Sequence, residues 1–183
     1  MAEQQVKQRD MRAFYEVKAP LTSTKISLYG ASPDALVGKV VKLDLTRNLR
    51  GKNLELSLKV RKSTDGLEGD PIALNLFGSY IRRMMRKGAD YVEDSFIGQC
   101  KDGAVLVKPF LITRKKVSRA VRQELRKTTQ EHLLSLLTIR TNLEMFSDII
   151  AGKTQKELSL KLKKIYPLAL CEIRVFELVP GKK

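Results

Sequence analysis

The 183-residue sequence lacks several residue types on which common classes of function depend. Tryptophan is absent, histidine occurs once, and the two cysteines, Cys100 and Cys171, are far apart in the chain. Two separated cysteines support neither a disulfide framework nor a zinc site. No apolar run approaches the roughly 20 residues that span a bilayer, and the polar first twelve residues contain no apolar signal core. These absences predict a soluble intracellular chain with reduced thiols.

Acidic residues are also scarce relative to basic ones, because 35 lysines and arginines face 20 aspartates and glutamates. The formal net charge of +15 points first to a nucleic acid partner and second to an anionic membrane surface. Hydrophobic residues make up 43% of the chain, which is enough for a real core. The length suits one domain with at most a small appendage.

A β-rich part is predicted over about residues 37–113. Apolar and polar residues alternate over residues 41–45 and 54–60, as they do in a sheet with one buried face. Residues 71–77, 91–99 and 104–112 also indicate strands, and Asp102-Gly103 is a hairpin signal because glycine readily takes positive φ. Residues 21–36 and 63–70 are predicted to be loops. The expected sheet is mostly antiparallel and barrel-like.

Three helices are predicted over about residues 117–166, followed by a returning strand over about 170–178. Thr141 to Glu144 is a capping box, Gly152 suits the end of the helix that it starts, and Thr154 to Glu157 repeats the capping pattern. The predicted fold class is therefore α+β. The expected organisation is an N-terminal arm over residues 1–20 and a single domain over residues 21–183.

The stretch from Val105 to Lys127 carries the strongest functional signal. An apolar strand leads into a segment from Arg114 to Lys127 with seven basic residues and one acidic residue. On a helix, one side would carry six mostly apolar residues: Val117, Val121, Leu125, Thr128, His132 and Leu136. The opposite side would carry an arginine face, defined as Arg119, Arg122 and Arg126. Guanidinium groups bond phosphate oxygens in pairs, so this face is predicted to bind RNA phosphates, assisted by Arg114, Lys115 and Lys116. A merely solvated charged face is the alternative.

Two further sets of residues are candidate RNA contacts. A short helix over residues 79–87 would point Ile81, Met84 and Met85 inward and the basic set Arg82, Arg83, Arg86 and Lys87 outward. Near the start of the chain, Phe14 and Tyr15 lie beside Lys18. These aromatics either stack on a base or anchor the arm to the core.

The search for enzymatic chemistry yields no convincing active site. His132 falls on the apolar side of the arginine helix, which favours a hydrogen-bonded core residue over a general base. Asp90, Glu93 and Asp94 suggest the metal cluster of an RNA-processing enzyme, but no histidine or matching carboxylate group completes it. The protein is therefore predicted not to be an enzyme, with no cofactor, no metal and no small-molecule substrate.

Several blocks of the sequence resemble one family. They are Phe14-Tyr15-Glu16-Val17-Lys18-Ala19-Pro20, Leu36 to Val41, Phe77-Gly78, Lys101-Asp102-Gly103 and Ile165-Tyr166-Pro167-Leu168. Their order and spacing, over most of residues 12–178, are similar to those of the small-ribosomal-subunit protein family S-three-a (also called S-one-e) of archaea and eukaryotes. Phe14 stands where that family usually has tryptophan.

The resemblance implies a non-catalytic structural constituent of the cytosolic small ribosomal subunit, which supports translation. It implies binding to small-subunit rRNA on the platform near the mRNA exit, with neighbouring platform ribosomal proteins and the mRNA as further partners. An alternative is an extraribosomal OB-like module that stacks single-stranded RNA on exposed sheet aromatics, although only 6% of the residues are aromatic. A membrane-surface role is disfavoured because the predicted helices use their apolar faces in packing.

Overall fold

Nine strands and four α-helices are found in the computed structural model, which describes residues 12–22, 24–49, 51–64 and 66–179. The strands are β1 (Ala13–Lys18), β2 (Ile26–Gly30), β3 (Val40–Asp44), β4 (Leu54–Ser63), β5 (Gly66–Leu76), β6 (Tyr91–Glu93), β7 (Phe96–Cys100), β8 (Gly103–Thr113) and β9 (Leu168–Leu178). The helices are α1 (Gly78–Met84), α2 (Arg119–Ile139), α3 (Asn142–Ala151) and α4 (Lys153–Leu162). The α+β class is confirmed.

The described residues group into two compact units. The first unit contains the described residues up to Val41 together with Leu58–Asp70, and the second contains Lys42–Ser57 together with the described residues from Pro71 onward. The long strands β4 and β5 therefore contribute residues to both units. The expected N-terminal arm over residues 1–20 and single domain over residues 21–183 stay a prediction.

In the first unit, β1 pairs antiparallel with β2 and parallel with the start of β5. The buried centre is Val17, Leu36, Val60 and Leu67, and Tyr15, Ile26, Leu28 and Val41 pack against it. Thus β1 lies in the range predicted as an arm, and β2 lies in a range predicted as loop. The start of β5 likewise replaces most of the loop predicted over residues 63–70. Turn-forming residues around these short strands hid their alternating apolar side chains. Residues 1–11 of the predicted arm lie outside the described residues.

In the second unit, β8 lies in the middle of the sheet. It pairs antiparallel with β9 on one edge and with β6 and then β7 on the other. The C-terminal strand β9 also pairs with the end of β5, so it returns to the sheet as predicted. The predicted hairpin at Asp102-Gly103 is confirmed, and Gly103 has a φ of 154°. All four apolar residues of the alternating run in β4, namely Leu54, Leu56, Leu58 and Val60, are buried.

The sheet is mixed and is not a closed barrel, so the barrel-like layout was wrong. Within the first unit the order is β2-β1-β5, and within the second it is β5-β9-β8-β6. Both orders are open among the described strands. Alternation specifies which face of a strand is buried, but closure depends on tilt and stagger between strands, which alternation does not encode.

The long helix α2 packs on the second unit's sheet through residues four apart. Its buried residues are Leu125, Thr129, Leu133 and Leu137. The predicted apolar side is therefore displaced by about one residue, because Val121, Thr128, His132 and Leu136 are only half-buried beside this stripe. The leucine pairs at positions 133–134 and 136–137 offer two adjacent apolar sides, and periodicity alone does not choose between them. Gly98 of β7 permits the close approach, since a Cβ there would lie 2.3 Å from Cδ1 of Leu137.

The two predicted capping boxes differ in outcome. The first is confirmed, because the Thr141 hydroxyl accepts from the Glu144 N–H and the Glu144 carboxylate accepts from the Thr141 N–H, at the start of α3. Gly152 ends α3 with a φ of 74°, as predicted. The second capping box is wrong, because α4 begins at Lys153 directly after this glycine. Thr154 is fully buried inside the helix and does not cap it.

Candidate nucleic-acid interface

Hydrogen bonds at the end of β8 fix the direction in which α2 leaves the sheet. The Thr113 hydroxyl accepts from the Asp90 N–H at 3.0 Å, and Oδ2 of Asp90 accepts from the Val117 N–H at 3.0 Å. The Ser118 hydroxyl then caps α2 by accepting from the Val121 N–H. The basic segment between β8 and α2 is therefore held at both ends.

The predicted orientation of the basic residues around α2 agrees with the structure. The segment residues Arg114, Lys115 and Lys116 and the arginine face, Arg119, Arg122 and Arg126, are all exposed. The opposite side of α2 is buried against the sheet. The exposure of these six basic residues fits phosphate binding, and the binding itself stays a prediction.

One groove brings the whole arginine face together. This β6–α2 groove has a volume of about 640 Å³, and Tyr91 and Val92 form its strand side. The helix side contains Arg119, Arg122, Gln123, Arg126, Lys127 and Gln130. None of the described residues that line this groove is acidic. Nη2 of Arg126 donates to the Glu93 carbonyl at 3.2 Å and so joins α2 to β6. The groove is thus a strongly cationic slot with an aromatic ring on one side.

A second basic groove is lined by two of the four basic residues predicted to point outward from the short helix over residues 79–87. Arg86 and Lys87 follow the end of α1 and line a groove of about 460 Å³ together with Arg114. Arg82 and Arg83 are exposed on α1 but do not line this groove, and the Arg83 guanidinium lies 5.5 Å from the centre of the Tyr80 ring. Tyr80 is the buried aromatic of α1, whereas Met85, predicted to point inward, is exposed because the helix has already ended at Met84.

Tyr15 and Lys18 lie on β1 in the first unit. Tyr15 is half-buried against the core and its hydroxyl donates to the Ala31 carbonyl at 3.5 Å, so it anchors the strand. Lys18 is exposed. Among the described residues of this unit, Phe14 and Tyr29 are exposed aromatics, and their ring centres are 5.1 Å apart. Sequence reasoning missed Tyr29 because it lies in a predicted loop.

The acidic residues Asp90, Glu93 and Asp94 have structural partners. Asp90 accepts from Val117, Oε1 of Glu93 accepts from Nη1 of Arg174 at 3.0 Å, and Oδ1 of Asp94 accepts from the Ser95 N–H. Across the described ranges, no three His, Cys, Asp or Glu residues are arranged to hold a metal ion.

Burial shifts the pKa values of His132 and of the two cysteines in opposite directions. Burial lowers the pKa of His132, and nearby Lys161 lowers it further, so the ring is neutral at neutral pH. Its Nδ1 is buried without a hydrogen-bond partner among the described residues, which differs from the expected bonded histidine. Burial raises the pKa of Cys100 to about 11 and that of Cys171 to about 12, so both thiols stay protonated and weakly nucleophilic.

A buried polar cluster was missed entirely by sequence reasoning. Glu172 is buried on β9, where Lys52 Nζ lies 2.8 Å from its Oε1 and Gln155 Nε2 lies 3.3 Å from its Oε2. Alternation placed Glu172 on the exposed face. The ladder between β8 and β9 shifts register beside Pro109, which has no N–H to donate, and Arg174 becomes an extra residue on β9. Glu172 and its neighbour Ile173 are both buried, so β9 is covered on both faces at this point.

Comparison with known proteins identifies the family. The model of the Ribosomal S3Ae family matches residues 2–180. The chain belongs to the ribosomal S3Ae family. Small ribosomal subunit protein eS1 of Methanothermobacter thermautotrophicus is 30% identical over 147 residues, which cover 77% of this chain and 75% of that protein. The eS1 protein of Nanoarchaeum equitans is 26% identical over 184 residues, covering 94% and 91% of the two chains. The family inferred from the sequence blocks is confirmed.

Of the helices in the described part, none combines the length and the apolarity that a membrane crossing requires.

Proposed function

We propose that this S3Ae family member is a structural, non-catalytic constituent of the small ribosomal subunit that binds small-subunit rRNA. The observation that carries the proposal is the exposed arginine face of α2, set on a helix whose other side is buried. The net charge of +15 and the relatives named small ribosomal subunit protein eS1 support the same conclusion.

The packing of α2 on the sheet lowers the entropic cost of RNA binding by the arginine face. Because Leu125, Leu133 and Leu137 already fix α2 to the sheet, the helix loses little further freedom when RNA binds. Each guanidinium fork can bond two phosphate oxygens, and each contact releases counterions from the RNA. Arg114, Lys115 and Lys116 extend this surface at the start of the helix.

We assign the remaining basic residues supporting roles at the same kind of interface. Arg86 and Lys87 meet Arg114 in the second basic groove. Arg82, Arg83, Tyr15 and Lys18 are proposed as additional RNA contacts. The finer placement, on the platform of the cytosolic subunit near the mRNA exit, beside neighbouring ribosomal proteins and the mRNA, rests on the family resemblance.

Sedimentation tests this function directly. Tagged protein in a cell lysate should co-sediment with small ribosomal subunits at low salt. An arginine-face variant (Arg119→Gln, Arg122→Gln and Arg126→Gln) should be released at a lower salt concentration in the wash. The matched control replaces three exposed lysines of the same unit, Lys156, Lys163 and Lys164, with glutamine and so removes the same charge.

Comparing the two variants distinguishes binding by the arginine face from attraction by net charge alone. Equal release of both variants would indicate that net charge alone matters and would remove the arginine face from the interface. A wild-type protein that runs outside all ribosomal fractions at low salt would refute the ribosomal assignment.

The extraribosomal single-stranded RNA-binding module remains a second candidate because of one observation. Phe14 and Tyr29 form an exposed aromatic pair on β1 and β2, and such modules stack bases on exposed sheet aromatics. That candidate predicts RNA binding without co-sedimentation with subunits.

A further inference from the structure

One aromatic residue lies in the β6–α2 groove without a role in the core. Tyr91 is the first residue of β6 and is 53% exposed. It lines the same groove as the three arginines of the arginine face. The groove therefore places an exposed aromatic ring beside cationic side chains.

The Tyr91 ring is held in position from the buried side. Its centre lies 6.3 Å from that of Phe110, with 29° between the ring planes, and Phe110 is fully buried in β8. Its backbone is fixed by the pairing of Tyr91 with Ile112, and the bond from Arg126 to the Glu93 carbonyl fixes α2 against the same strand. A ring held in place in this way loses little freedom when it contacts a ligand.

The chemistry of the groove matches one nucleotide of an unpaired RNA segment. Nucleobases stack on aromatic rings, and phosphates bind arginine forks. The side-chain amides of Gln123 and Gln130 lie in the same groove and can bond base edges. Bases in an RNA duplex are stacked on one another and cannot offer a face to Tyr91.

We propose that the β6–α2 groove binds an unpaired nucleotide of small-subunit rRNA, with Tyr91 stacking on the base while the arginine face holds the adjacent phosphates. This inference rests on the proposed rRNA-binding function and names the kind of RNA segment that the site takes. Tyr91 is a specificity residue for unpaired RNA, whereas the arginines supply contacts that any phosphate backbone can make.

The absence of tryptophan provides a clean fluorescence test in the full chain. Tyr91→Trp introduces one tryptophan into a chain that otherwise has none. A single-stranded octanucleotide RNA should quench its emission, whereas the same octanucleotide with abasic sites throughout, or an RNA duplex, should bind with little quenching. Leu160→Trp is the control, because Leu160 is 70% exposed on α4 and lies outside the residues assigned to RNA binding.

Equal quenching in both tryptophan variants, or equal quenching by intact and abasic RNA, would overturn the stacking role. If ribosomal proteins freed of rRNA quench the emission without any RNA present, the groove binds a protein partner. That result would also overturn the stacking role.

Affinity measurements separate this inference from the proposed function. Tyr91→Ala should weaken binding of the octanucleotide by about 5- to 150-fold, the usual effect of losing one stacked base, with the salt dependence unchanged. Tyr91→Phe should bind like the wild type. The arginine-face variant should instead show a shallower salt dependence. If that variant behaves as expected while Tyr91→Ala binds normally, the nucleotide site is wrong and the rRNA-binding function stands.

A photocrosslinker at position 91 identifies the source of the RNA. In purified small subunits washed free of mRNA it should crosslink to rRNA. Crosslinking that appears only after mRNA is added would assign the groove to mRNA and contradict the proposal.

Discussion

The ion pair between Lys52 and Glu172 allows a quantitative test of the packing in the second unit. The Glu172 side chain is 7% exposed, and Lys52 Nζ lies 2.8 Å and 3.1 Å from its two carboxylate oxygens. Lys52→Ala would leave this carboxylate buried with the neutral amide of Gln155 as its remaining partner among the described residues.

The expected cost follows from the burial of the two partners. Removing one partner of a buried pair costs about 3–5 kcal/mol because the other charge is left uncompensated. The Lys52 side chain is 28% exposed and lines an open cavity of about 740 Å³, so water screens part of the charge. We therefore expect Lys52→Ala to lower the free energy of unfolding by about 2–3 kcal/mol.

Urea unfolding followed by circular dichroism at pH 7 measures this cost. Glu172→Gln keeps the shape of the side chain without its charge, so the double variant should be less destabilised than the two single variants predict. Lys62→Ala is the control, because its pair with Asp34 is 2.7 Å long but 65% and 70% exposed, and it should cost at most about 1 kcal/mol. Additive effects of Lys52→Ala and Glu172→Gln, with a loss below about 0.5 kcal/mol for the former, would refute the reasoning.

Three further outcomes are expected. Leu56→Ala should destabilise the protein by about 2–5 kcal/mol in urea unfolding, because Leu56 is fully buried; a change below about 0.5 kcal/mol would contradict its burial. Stability should fall by at most about 1 kcal/mol between pH 7 and pH 5.5, because the unfolded chain protonates His132 near its ordinary pKa of 6.5 while burial keeps the folded pKa lower; His132→Gln should flatten this profile. Cys100 and Cys171 should react slowly with iodoacetamide at pH 7 and quickly after unfolding, and rapid alkylation of the native protein would contradict their raised pKa values.

Local signals account for the parts of the fold that were predictable. The hairpin at Asp102-Gly103, the capping box at Thr141 and the end of α3 at Gly152 each depend on a few adjacent residues. The returning strand β9 was also predicted, because apolar and polar residues alternate over residues 171–175. Such features need no knowledge of what the rest of the chain does.

The features that were missed depend on contacts distant in sequence. Burial of Glu172 accompanies its contacts with Lys52 and Gln155, which lie outside β9 and which no pattern within β9 reveals. The buried stripe of α2 includes Leu137 because Gly98 of β7 leaves room for it. The open order of the strands and the formation of β2 likewise depend on which strands pair, and such pairing joins residues distant in sequence.

The candidate site likewise contains one feature that local sequence predicts and one that depends on contacts distant in sequence. The outward direction of the arginine face was predictable, since unpaired charges are costly to bury and the other side of α2 is apolar. Tyr91 was not predictable as a groove residue, because its place in a short strand gave no sign that α2 would lie beside it.

Salt dependence of rRNA binding tests the central claim most directly. The affinity of the wild-type protein and of the arginine-face variant for a small-subunit rRNA fragment is measured over a range of salt concentrations. Each lost phosphate contact lowers the slope of log affinity against log salt by about 0.7 to 0.9, so three lost contacts should reduce it by about 2 to 3. The melting temperature should be almost unchanged, because all three arginines are exposed and glutamine is a good helix former. A folded variant with the same affinity and the same slope as the wild type would contradict the account and show that the arginine face is merely solvated.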